Sequence, residues 1–94
     1  MKASEIVMNI ALNLVRIARF AAEDRAPRVR QFTDETKEYL ERLEKAERSS
    51  RFEPTFQKFK IEFERLRKTS AFDPEYIDDL HTWANILTHR AKLA

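Results

Sequence analysis

Residues 4–22 read SEIVMNIALNLVRIARFAA, and on a helix their apolar side chains cover more than half of the circumference. At ~100° per residue, the arc contains Ile6, Val7, Met8, Ile10, Ala11, Leu14, Val15, Ile17, Ala18, Ala21 and Ala22. The polar remainder is Glu5, Asn9, Asn13, Arg16, Arg19 and Glu23. Leu12 and Phe20 interrupt even that strip. A helix packed on one neighbour needs a stripe little wider than ~100°. The sequence therefore predicts a helix over 4–24, with Ser4 as N-cap, that is central in the fold or sits at a subunit interface.

Three further helices follow from the spacing of the remaining apolar residues. A second is expected over 27–48, with Pro27 in the first turn, where its missing N–H costs nothing. A later start at Thr33 is the alternative. Val29, Phe32, Thr36, Tyr39, Leu40, Leu43 and Ala46 form its narrow face. Glu38–Arg42, Glu41–Lys45, Glu44–Arg48 and Glu47–Arg51 are spaced for i,i+4 ion pairs, each contributing ~0.2–0.5 kcal/mol. A third helix is expected over 54–68. Phe52, Phe56, Phe59, Phe63 and Leu66 alternate steps of four and three, which is an a/d seam. A fourth is expected over 74–92, started by Asp73 and Pro74. Tyr76, Ile77, Leu80, Trp83, Ala84, Leu87 and Ala91 line its buried face, with Ile86 and Leu93 lying off it.

The two later helices share a start signal. Ser50-Arg51-Phe52-Glu53-Pro54-Thr55-Phe56 is echoed by Ser70-Ala71-Phe72-Asp73-Pro74-Glu75-Tyr76. Phenylalanine can pack on the first turn, the acid faces free N–H groups and proline fixes φ. Two copies are too few for a solenoid.

Composition agrees with an all-α chain. Glycine and cysteine are absent from the 94 residues. Without glycine the phosphate-cradling and dinucleotide fingerprints cannot be written. Without cysteine there is neither a disulfide framework nor thiol chemistry. Eighteen basic and sixteen acidic residues leave a net charge of +2, too balanced to imply a polyanion partner. Arg16 and Arg19 interrupt the N-terminal apolar segment, which argues against a cleaved signal or a membrane span. The expected fold is a single domain over 1–94, a small, mostly antiparallel four-helix bundle in the cytoplasm.

Candidate sites are few. Asp78, His81, Asn85 and His89 share a flank of the fourth helix, but the histidines lie more than two turns apart, unlike the adjacent-turn metal pair. The acidic pairs Glu23-Asp24, Asp34-Glu35 and Asp78-Asp79 lie near helix starts, where the macrodipole favours them. Lysines and arginines flank the phenylalanines of the third helix, but a/d spacing assigns those rings to the core. No catalytic residue, cofactor or metal is expected. Leu12 and Phe20, with Ile86 and Leu93, are the expected partner surface, because paired exposed apolar side chains suggest a contact face. The functional expectation is a non-enzymatic assembly or protein-interaction module that forms a homodimer. The alternative is a small nucleic-acid-binding regulator that uses Arg16, Arg19, Arg25, Arg28 and Arg30 to contact phosphate.

Overall fold

The computed structural model describes Met1–Ala94. Four α-helices, α1 (Ala3–Ala22), α2 (Ala26–Lys45), α3 (Glu53–Lys68) and α4 (Pro74–Arg90), are followed by a 3-10 turn over Ala91–Leu93. Short connections make successive helices antiparallel neighbours. Cross-helix contacts fix this register. Lys60 of α3 meets Glu44 of α2 at 2.8 Å, while Arg65 of α3 meets Asp79 of α4 at 2.9 Å and Arg90 of α4 donates to Thr55 at 3.0 Å. The molecule measures 37 × 20 × 18 Å. A twenty-residue helix spans ~30 Å, so the bundle is about one helix long.

The backbone of α1 runs closest to α2 and α4. Ala3, Ala11, Ala18 and Ala21 on its buried face leave room for that approach. On α3 the buried face is instead Phe56, Phe59, Phe63 and Leu66, and these large side chains hold its backbone further off. The Phe59 ring packs on Trp83 of α4 with centroids 5.4 Å apart. Helix α1 supplies more of the apolar core than any other element, in keeping with its broad apolar arc.

The helix ends depart from expectation in informative ways. Ser4 does not cap α1. Lys2 occupies the cap position with no side-chain hydrogen bond, and Ser4 lies within the first turn. Helix α1 closes with a Schellman motif. The Arg25 N–H donates to the Phe20 carbonyl at 2.9 Å and the Asp24 N–H donates to the Ala21 carbonyl at 3.0 Å. Asp24 therefore takes φ 55°, the left-handed conformation that glycine usually fills.

Helix α2 stops at Lys45, short of the expected Arg48. Arg48 folds back, and its Nη1 donates to the carbonyls of Leu43, Glu44 and Ala46 at 2.7, 2.8 and 3.3 Å. Its other nitrogens grip Glu53 at 3.0 and 3.1 Å. The four expected i,i+4 ion pairs on α2 do not form. Glu44 reaches across to Lys60, and Arg48 has left the helix for Glu53.

The repeated start signal also diverges. Asp73 caps α4, its Oδ1 accepting from the Tyr76 N–H at 2.9 Å. Glu53 instead lies inside α3 and turns to Arg48. The cap position of α3 is Phe52, so Glu53 stands one residue further in than Asp73 does in α4. Phe52 is buried in the core whereas Phe72 is half-buried and stacks on Tyr76.

Candidate functional site

The outer face of α1 carries the main exposed apolar strip. Met8, Leu12 and Val15 are 38%, 49% and 45% exposed. Their steps of four and three keep them on one side of the helix. Helices α2 and α4 cover the flanks of α1 but leave this face uncovered. Ile61 on α3 is also exposed, but it stands alone, and one exposed aliphatic residue carries no message.

Phe20 does not belong to this strip. The expectation that it is an exposed contact residue is corrected by its 8% exposure. Eight residues at ~100° each turn it about 80° away from Leu12, toward α2. There it stacks on Phe32, with centroids 5.7 Å apart and planes 11° from parallel. Asn13, assigned to the polar strip, is likewise buried near this seam. Its Oδ1 accepts from Arg16 at 2.9 Å, while its Nδ2 is buried without a partner. Ile86 packs partly against the core, and Leu93 is half-buried in the terminal 3-10 turn. Neither presents the exposed apolar side chain that was expected.

Met8 and Val15 were missed as surface residues because both sit within the broad apolar arc. The signal that could have found them is the four-three spacing with Leu12, the same rule that reveals the phenylalanine seam of α3.

The arginine group resolves into separate contacts. The guanidiniums of Arg19 and Arg25 lie 4.8 and 5.1 Å from the Phe20 ring, and that of Arg16 lies 5.7 Å from the Phe32 ring. Such placements are favourable because the ring face is electron-rich. Arg25 also approaches Glu23 at 3.7 Å, and Arg28 donates to Gln31 at 2.9 Å. Arg30 turns to a different surface, a groove of about 680 Å³ at the end of the bundle, beside Asp24, Asp34, Arg67 and Lys68. Opposite charges alternate there, so the groove has no dominant sign. Asp78, His81 and His89 do not converge with other donors into a metal-sized cluster.

No helix is long and apolar enough to cross a membrane. No family model matches the chain, and no curated protein or solved structure is significantly similar to it. Fold and surface together define a small all-α bundle whose first helix keeps an uncovered apolar face.

Proposed function

We propose that this chain is a non-enzymatic helical assembly module that associates with a second copy of itself through the outer face of α1. The observation that carries this reading is the contiguous exposure of Met8, Leu12 and Val15. Three apolar side chains held in register on a rigid helix remain partly in water. Covering them removes apolar area from water at ~25 cal/mol per Å².

The strip is small, which sets the expected strength. Each of six side chains in a symmetric pair, already half covered, would contribute roughly 1–1.5 kcal/mol. Association costs at least ~4 kcal/mol in lost freedom. The balance, at most about 2–5 kcal/mol, corresponds to a dissociation constant between about 0.2 and about 30 millimolar. Such a module associates when concentrated or tethered and separates when dilute.

Light scattering across that concentration range tests the reading. A mass that rises toward twice the chain mass supports it, and a constant monomer mass overturns it. The nucleic-acid alternative has weaker support. Arg25 approaches Glu23, Arg30 lies in a groove of mixed charge, and the net charge of the chain is only +2. Retention on DNA or RNA that falls steeply with salt would favour it instead.

A further inference from the structure

We infer that the two copies pair α1 against α1 in antiparallel orientation, with Leu12 at the twofold axis and Glu5 of each copy facing Arg19 of the other. This rests on the self-association reading and adds its geometry. On the outer face of α1, Glu5, Met8, Leu12, Val15 and Arg19 follow one another at steps of three, four, three and four. That is the a/d spacing of a helix meeting another helix. The three central members are apolar and exposed, and the two outer members are exposed and of opposite charge.

The charges select the orientation. Leu12 is the midpoint of Glu5 and Arg19. In antiparallel pairing about Leu12, each Glu5 meets an Arg19 of the partner, giving two attractive contacts. In parallel pairing Glu5 faces Glu5 and Arg19 faces Arg19, and like charges at such close range are unfavourable. Both groups are free to make the contact, since neither Glu5 nor Arg19 has an ion-pair partner within the chain. The Phe20 ring beneath Arg19 holds its guanidinium at 4.8 Å without neutralising it. Apolar contacts at the centre thus supply affinity, and the flanking charges set direction.

The symmetry also makes the interface closed. The same patch is used on both copies, so pairing stops at two. The isolated Ile61 on the opposite side of the bundle offers no second strip from which a filament could grow.

Two readouts test this in the full chain. The first is charge reversal followed by sedimentation equilibrium at low salt. Glu5→Arg and Arg19→Glu should each weaken self-association about tenfold, because two attractive contacts become repulsive. The double variant should return to within about twofold of the parent. In parallel pairing each single reversal only exchanges one like-charge pair for another, so no single variant would weaken the dimer. The second readout uses the absence of native cysteine. Met8→Cys alone should not form a disulfide dimer on oxidation, because in antiparallel pairing the two thiols lie about 12 Å apart along the helix axis. Mixing Met8→Cys with Arg16→Cys should give the mixed disulfide. The thiol readout does not depend on the stability of the Arg19 variant, since the thiol variants leave Arg19 unchanged.

The outcomes separate the two ideas. A parent chain that stays monomeric overturns both the assembly reading and this geometry. A parent that dimerises, with Met8→Cys linking to itself and the charge reversals having no effect, overturns the antiparallel geometry and leaves the assembly reading standing. Weakened single variants, a restored double variant and the mixed disulfide support both.

Discussion

At Asp24 the backbone adopts φ 55° so that α1 can end and reverse into α2. An L-residue in this conformation costs roughly 1–2 kcal/mol relative to the right-handed regions, although aspartate tolerates it better than most. Asp24→Gly should therefore stabilise the bundle by about 0.5–1 kcal/mol in urea unfolding, and Asp24→Val should destabilise it by more than ~1 kcal/mol. A destabilised glycine variant would mean that the Asp24 carboxylate matters more than the turn. Phe20 offers a sharper contrast. Buried against Phe32 and flanked by Arg19 and Arg25, it should cost about 3–5 kcal/mol when truncated to alanine. Leu12→Ala on the outer face should cost less than ~1 kcal/mol in the monomer. Calorimetry of the two variants at low concentration would show whether those side chains belong to core and surface as described. From the sequence both residues looked alike, because each interrupts a polar strip. Only the position of α2 distinguishes them.

The elements are pinned at their ends more than along their exposed sides. Arg48 closes α2, opens α3 through Glu53, and lays its guanidinium 4.1 Å from the Phe56 ring. Arg48→Ala removes all of these contacts and should cost about 2–3 kcal/mol. Arg48→Lys keeps the charge but not the fork and should recover only part of that loss. Hydrogen bonds from Arg48 first, and from Gln57 second, hold the Glu53 carboxyl below the ordinary carboxylate range. Glu53 therefore stabilises the fold while ionised. Its contribution is fully present above the ordinary carboxylate pKa of ~4.3 and disappears as pH falls through the depressed value. Glu53→Gln should be less stable than the parent at pH ~7, and the difference should shrink on acidification. A gap that stays constant with pH would contradict the assignment.

The helices themselves were legible because their apolar spacing is strong. The phenylalanine seam of α3 is buried as its spacing requires. The ion pairs of α2 were not legible. Spacing places Glu44 near Arg48, but both side chains find partners on α3. Such long-range choices carry no local signature.

At the scale of the molecule, four helices close one core, and α1 carries more of it than any other. A wide apolar arc has two consequences. Most of it is buried between α2 and α4, and its uncovered edge, Met8 and Val15, faces outward beside Leu12. The sequence showed the arc to be wider than one neighbour could cover, but the uncovered portion depended on the angle between α2 and α4 around α1. Leu12 was found among its polar neighbours. Met8 and Val15 were hidden among apolar ones.

The most direct test is sedimentation equilibrium of the parent chain beside Leu12→Glu, from about 0.1 to about 10 millimolar. The expected result is reversible dimerisation of the parent and a monomeric Leu12→Glu variant with unchanged helical content and unfolding midpoint. A parent that remains monomeric throughout, or a dimer that Leu12→Glu leaves intact, would contradict self-association through the outer face of α1.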